Sequence, residues 1–384
     1  MRFVHFFDLK IDLLSHLPKK QREEFDFLCA KLQNISKRFY IVGGTLRDFF
    51  LQKELSADID IEVYDVDFDT FCEFAKSINA CGVGKSFFVF KYKSFDISLP
   101  RTETKIAVGY KGFDVCLQND EKLASQRRDF TVNTLMFDCN SFEVLDFYGG
   151  LQDIAKKRLK ATSEKSFCED SLRVLRAIRF AGQLGFGADK ETLKLINSID
   201  LSDLNKERIA KELEKIANAK FLRKSLILFV STDFFGKVFG FEFTLQNAKK
   251  IATRLNFARK IGLIAPQDEL FFYLLKQELG LKSLAQINIF GKYVKTSDKQ
   301  IGCENVSDFN LLEIATRVEL KYFFGCAKKE IYQKALAFDI FDNKINLPFS
   351  YQSIIFEGFA GGDISDEFER RKSDFLKTLV VSHI

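Results

Sequence analysis

At 384 residues the chain is longer than one ordinary core, so about two or three domains are expected. Hydrophobic residues make up 46% and charged residues 29%, which excludes a disordered chain; four prolines and no long Gly/Ser run leave no flexible linker, so the domains pack end to end. The formal charge of +5 divides into −3 over residues 1–150, +4 over 151–220 and +4 over 221–384, a distribution that fits either a metal site beside a polyanion-binding surface or ordinary solvated surface.

Residues 1–38 carry Leu13, Leu14, Leu17, Phe25, Leu28 and Leu32 at helix-like spacing, which predicts a helical lead-in without chemistry. Tyr40–Val42 is a short buried strand. Gly43-Gly44 makes a turn that lets a ligand approach closely, and Thr45–Leu51 begins a helix whose N-terminus favours phosphate. Arg47 stands one turn in, within reach of the same anion. In Asp58-Ile59-Asp60-Ile61-Glu62 the strand period of two sends Asp58 and Asp60 to one face and the isoleucines to the other. Two carboxylates side by side repel unless a cation sits between them, so the pair is a candidate Mg²⁺ site. Alone, it reads equally well as a solvated edge strand; Gly43-Gly44 a dozen or so residues earlier tips the balance towards the metal.

Phe68–Ala80 reads as a helix, and Ser86–Tyr92 and Phe95–Leu99 as strands. Asp96 on the last of these either completes a two-metal site or is an ordinary polar strand residue. Lys105–Gln118, with two glycines and no long periodic run, reads as a mobile loop able to close over substrate. Arg127-Arg128 then precede Asp129, where an arginine pairs with a triphosphate or with the aspartates, or else serves only in a helix cap and a surface salt bridge. Asp146–Gly150 is a turn and the first domain boundary.

Residues 151–219 read as wholly helical. In the run 167–186, Asp170, Arg173, Arg176 and Arg179 recur every three residues. A step of three lags the helix by about 60°, so the row spirals, and Asp170 and Arg173 remain neighbours able to pair. Together they offer an acceptor and donors that suit a nucleobase edge, with the other arginines left for phosphate. A salt-bridged amphipathic helix is the plainer alternative. Beyond residue 221 the chain is helical, basic and rich in phenylalanine, as an RNA-backbone surface or any plain helical domain would be.

The remaining composition closes several routes. Eight cysteines without a CxxC build neither a zinc site nor a disulfide framework and read as reduced cytosolic thiols. His5, His16 and His383 lie near the termini, which excludes an internal His-based triad or His-Asp hydrolase site. No apolar run reaches the roughly 18 residues of a membrane span.

The succession GGTLRD, DID, LPRTE, GYKGF, RRDFTVN, DFYGG, EDSLRVLRAIRF and ERIAKEL, over residues 40–219, resembles the class II tRNA nucleotidyltransferase and bacterial poly(A) polymerase family, and within it the CCA-adding enzymes. The resemblance implies an α+β fold: a lead-in (1–38), a nucleotidyltransferase palm with a small mixed sheet (39–147), then an all-α neck (148–219) and a body and tail that bind tRNA (220–384). It implies a cytoplasmic enzyme, a monomer or weak homo-oligomer, that adds CCA to tRNA from CTP and ATP without a template and with Mg²⁺. Asp58 and Asp60 fall on its metal ligands, and Asp96 on a third carboxylate of some members. Gly43, Gly44, Arg47 and Arg128 fall where the triphosphate and sugar are held, Asp170 and Arg173 where the base is read, and Arg176 and Arg179 continue that site. Two positions depart from the family: Gln52 replaces the usual Gly, and Thr134 the usual Ala. Siblings that add poly(A), only CC or only A, a non-catalytic RNA-binding module and an NTP-binding regulator remain as alternatives.

Overall fold

Every residue of the strand β1 (Phe39–Val42) is buried, which places it inside a sheet. The structure is a computed structural model describing residues 9–55, 57–82, 89–105, 113–300 and 306–382. It divides into two units, Met1–Leu228 and Phe229–Ile384.

In the first unit β1 lies between β2 (Ile59–Val63) and β8 (Met136–Asp138), antiparallel to both. Outside β2 follow β5 (Phe95–Ser98), β4 (Val89–Tyr92) and β3 (Cys81–Gly82); outside β8 lies β9 (Val144–Leu145). The seven-stranded sheet is mixed, because β2 and β5 run parallel while the other pairs are antiparallel. The lead-in supplies the helix α1 (Lys19–Leu32), which buries Phe25, Leu28 and Leu32. Phe25 meets Phe95 with ring centroids 6.0 Å apart, and Gln21 donates to the Ala57 carbonyl at 2.8 Å. The lead-in therefore covers one face of the sheet, the face on which Ile59, Ile61, Phe95 and Ile97 are fully buried.

The other face alternates with the first, as period two requires. On it Tyr40, Val42, Tyr64 and Met136 pack with Ala124 of the helix α4 (Glu121–Gln126). Asp60, directly opposite Val42 on the neighbouring strand, is exposed. The helices α2 (Gly44–Phe50) and α3 (Phe68–Ser77) complete the head.

Three expectations are corrected here. Lys105–Gln118 is not one loop: Arg101–Lys105 and Phe113–Leu117 form β6 and β7, an antiparallel hairpin, and residues 106–112 lie outside the described ones. The glycines suggested a loop, but Phe113, Val115 and Leu117 carry the strand period. Residues 151–219 are not wholly helical. A short parallel pair, β10 (Arg158–Leu159) with β11 (Gly187–Ala188), interrupts α5 (Gly150–Ala155), α6 (Glu164–Glu169), α7 (Leu172–Leu184), α8 (Lys190–Ser198) and α9 (Lys206–Ala217). The run 167–186 is two helices rather than one. Asp170 takes an extended conformation (φ −125°, ψ 103°) and ends α6 before α7 begins.

The unit boundary falls within α10 (Leu222–Thr232). The second unit is built from α11 (Phe234–Phe239), α12 (Leu245–Lys260), α13 (Gln267–Glu278), α14 (Lys292–Lys299), α15 (Asp308–Ala315), α16 (Lys329–Ala337), α17 (Tyr351–Phe356) and α18 (Gly362–Ser382). Its phenylalanines fill cores, as the cluster of Phe229, Phe234, Phe235 and Phe243 shows. Among the described residues no helix is long and apolar enough to cross a membrane.

Gln52 ends α2 in the left-handed region, at φ 52°. Its N–H reaches the Phe49 carbonyl and the Lys53 N–H the Asp48 carbonyl, so it occupies the position after a helix where glycine is favoured. A side chain there strains the backbone by roughly 1–2 kcal/mol, partly offset because glycine has more freedom to lose on folding. Gln52→Gly should therefore raise the unfolding free energy by about 0.5–1 kcal/mol, read from urea denaturation; an unchanged or lower value would mean that the turn is relaxed as it stands.

Candidate active site

Strand register decides which carboxylates meet. Asp60 of β2 stands opposite Asp96 of β5, and Asp96 opposite Lys91 of β4, so the three form one row across the open face. Asp58 precedes β2 by one residue and is exposed. The Lys91 ammonium lies 2.9 Å from Asp58 Oδ1 and 3.3 Å from Asp96 Oδ1.

On the other side of Asp60 lies the Gly43 turn. Gly43 has φ 78°, and a Cβ there would come within 3.1 Å of Arg128 Nη1 and 3.3 Å of Asp60 Oδ2. Only glycine admits this approach without strain and crowding. Gly44 is in turn covered by Arg47, whose guanidinium a Cβ would meet at 3.1 Å.

Arg128 is held by a residue outside the sequence candidates. Glu62, 1% exposed, accepts from Arg127 Nη2 at 2.8 Å and from Arg128 Nη2 at 2.9 Å, while Tyr64 donates to its other oxygen at 3.1 Å. Burial alone would raise the Glu62 carboxyl, but Arg128 and Arg127 outweigh it and hold it below the usual carboxylate range. Glu62 simply continues the Asp58-Ile-Asp60-Ile alternation, and that alternation is the signal in the sequence that points to it.

Asp60 behaves in the opposite way. Water reaches it, yet crowding protein atoms thin its hydration and raise its carboxyl; Arg128 opposes this, and the carboxylates of Asp96 and Glu62 add to it. Asp96 Oδ1 is buried without a hydrogen bond. An all-oxygen donor set with a raised carboxyl, and a carboxylate oxygen that has no hydrogen bond and only the Lys91 ammonium at 3.3 Å, fits a hard divalent cation. Among the described residues no group of three or more His, Cys, Asp and Glu is gathered closely enough to hold a metal. Lys91 is the cation that stands there.

The remaining candidates lie on the neck side. Arg47 is buried, grips Asp48 with two hydrogen bonds (2.8 and 2.9 Å) and donates to Asn133 Oδ1 at 2.7 Å. Asn133 donates to Asp129 at 2.8 Å, and Arg176 Nε to the same carboxylate at 2.6 Å. Arg179 is buried against Glu212 at 2.6 Å. The guanidiniums of Arg47, Arg176 and Arg179 lie 5.2, 5.4 and 4.0 Å from the ring centroid of Phe180. Arg47 and Arg176 thus tie the head to α7, and Arg179 ties α7 to α9.

Asp170 and Arg173 do not pair with each other as their spacing suggested. The extended backbone at Asp170 directs its carboxylate to Arg208 of α9, at 3.1 Å, and to the Leu172 N–H at 3.1 Å. Arg173 donates to Ser166 and to the Arg127 carbonyl. Arg173 is therefore tied to the backbone beside Arg128, and so to the palm. Thr134, fully buried, accommodates its hydroxyl by donating to the Thr131 carbonyl at 2.7 Å.

Comparison with known proteins gives relatives in sequence and in fold. Residues 39–160 match the poly A polymerase head domain. The CCA-adding enzyme of Staphylococcus epidermidis is 27% identical over 307 residues, spanning 77% of this chain and 76% of that protein. Curated relatives of 33% and 38% identity match over about half of each chain. The crystal structure of the Bacillus stearothermophilus CCA-adding enzyme in complex with CTP shares the fold, with a TM-score of 0.62, 22% identity and 94% of both chains covered. So does a tRNA nucleotidyltransferase complexed with a primer tRNA and an incoming ATP analog, with a TM-score of 0.56, 21% identity and 78% of this chain and 93% of that one covered.

The buried ion pairs set an acid limit. Burial tends to raise the Asp129 carboxyl, but Arg176 and the Asn133 amide bring it down to about 2. Its folded value lies below the ordinary one near 3.9, so its stabilisation is present above about pH 4 and is lost as pH falls towards 2. The stability advantage of the wild type over Asp129→Asn should shrink by about 2 kcal/mol between pH 5 and pH 2 in urea titrations. A constant difference would show that the carboxylate is not held below its ordinary value.

Proposed function

From a chain that carries a poly A polymerase head domain, and whose fold is that of CCA-adding enzymes, we propose a template-independent nucleotidyltransferase that adds CCA to the 3′ end of tRNA from CTP and ATP. The observation that carries the proposal is the arrangement around Asp60, which lies in register with Asp96 and against Gly43 and Arg128. A cytoplasmic enzyme, monomeric or weakly self-associating, is part of the same reading.

Asp58, Asp60 and Asp96 are the residues that would hold Mg²⁺. Bound there, in the two-metal reading, it would supply Lewis-acid chemistry, polarising the α-phosphate, acidifying the tRNA 3′-hydroxyl and neutralising charge on pyrophosphate. The chain's own contribution is placement. Gly43 leaves room for phosphate oxygens beside the acidic row. Arg128, anchored on Glu62, presents Nη1 to that space, and its Nε is buried without a hydrogen-bond partner. No side-chain nucleophile is needed. On the neck, the Asp170 carboxylate and the Arg173 guanidinium would read the base edge. Arg47, Arg176 and Arg179 are engaged within the fold; in this proposal Arg47 and Arg176 hold the neck to the palm, Arg179 braces α7 against α9, and together they shape the nucleotide site from behind.

Transcripts of tRNA ending before CCA, after C and after CC, incubated separately with labelled CTP and ATP, test the activity. CTP should enter the first two and ATP the third; a long run of A on any RNA would make the protein a poly(A) polymerase instead. Asp60→Ala should lose at least about a thousandfold of the incorporation rate while tRNA binding survives, and near-normal incorporation would remove the metal assignment. Asp170→Ala should blur the choice between CTP and ATP. Unchanged selectivity would move base reading elsewhere.

A further inference from the structure

The acidic row is flanked by two cations of different character. Arg128 is fixed, because its Nη2 donates to the buried Glu62 carboxylate. Lys91 is partly exposed, rides on a flexible four-carbon stem and touches only the rim of the row, Asp58 on one side and Asp96 on the other. The adjacent Lys93 is not part of this arrangement: it sits in the turn between β4 and β5 at φ 52° and pairs with Glu24 of α1 at 3.3 Å. Register alone places Lys91 where it stands, opposite Asp96 and two strands from Asp60.

We propose that Lys91 is a tethered competitor for the divalent cation, neutralising Asp58 and Asp96 while the site is empty and leaving them when the ion arrives. This inference rests on the reading of Asp58, Asp60 and Asp96 as the metal site. A monovalent ammonium on a flexible stem, in pairs open to solvent, is weakly held. A divalent ion that closes to about 2 Å on carboxylate oxygen displaces it, and must break two ion pairs to do so. The lysine thus suppresses carboxylate repulsion in the empty head and raises the concentration of free cation at which the site fills. It sets a threshold for the metal and takes no part in the transfer itself.

Mn²⁺ titrated into the full chain in the presence of CTP, with free ion counted by electron paramagnetic resonance, measures this without recourse to turnover. Lys91→Met should bind Mn²⁺ about fivefold more tightly than the wild type, the size expected when two exposed pairs no longer have to be broken. Lys93→Met, which removes the same charge from the neighbouring turn, should change affinity by less than about twofold. Unchanged or weaker binding in Lys91→Met, or an equal gain in Lys93→Met, overturns the competitor role. Should Lys91→Met fail to fold, Lys91→Gln should show the same gain, and unchanged or weaker binding in it overturns the role equally. Asp60→Asn separates the two ideas. If it abolishes Mn²⁺ binding while Lys91→Met leaves affinity unaltered, the metal site stands and the lysine's role falls. If Mn²⁺ binding survives in Asp60→Asn, or is absent from the wild type, both fall.

Discussion

A single buried carboxylate orders the head. Glu62 lies on the same face of β2 as Asp60 but two residues deeper, where solvent does not reach it. An unpaired charge there would cost several kcal/mol, so its two arginine partners are obligatory. They are consecutive in sequence and follow α4, so satisfying Glu62 fixes where the chain leaves that helix. It also fixes where Arg128 presents its remaining nitrogens. The open face of the sheet therefore depends on a residue buried beneath it.

The same segment carries the connection to the neck. Immediately after the two arginines, Asp129 accepts from Asn133 and Arg176, and the Arg127 carbonyl accepts from Arg173. Three consecutive residues thus reach Glu62 on one side and Arg173 and Arg176 of α7 on the other. Phe180 lies behind them, its ring faced by three guanidiniums, whose attraction to an aromatic face supports their packing. This explains why the arginine row of α7 is closed inward: Arg176 belongs to head–neck cohesion and Arg179 to the packing of α7 on α9, while Arg173 at the helix start remains beside the palm.

What could be read from the sequence was what depends on local periodicity. The alternation from Asp58 to Glu62, the turn at Gly43 and the apolar run of β1 each announce themselves within a few residues. Gln52 stood out only against the family the chain resembles, and its positive φ gives the reason why glycine suits that position. What could not be read depends on pairing between distant segments. Lys91 meets Asp58 only because β5 separates β4 from β2, and no property of residues 89–92 specifies that order. Arg208 reaches Asp170 because the backbone breaks there; a step of three residues within one unbroken helix would have pointed Asp170 towards Arg173 instead. The pair β10 and β11 is two residues long on each side, too short for any period to show. Glu62 is the instructive case, for its position in the alternation was visible, while its burial was not.

Asn133 gives the link between head and neck a direction. Its amide carries an acceptor and a donor at opposite ends, and in this chain the acceptor faces the base on α2 while the donor faces the acid that grips α7. Exchange of charge on one side alone would set two donors or two acceptors against each other. Turning the amide over would cure that only if the far side were exchanged as well. Arg47, Asn133 and Asp129 all belong to the palm, so the polarity of this one amide is carried whole by the palm and delivers a carboxylate, already oriented, to Arg176 of the neck.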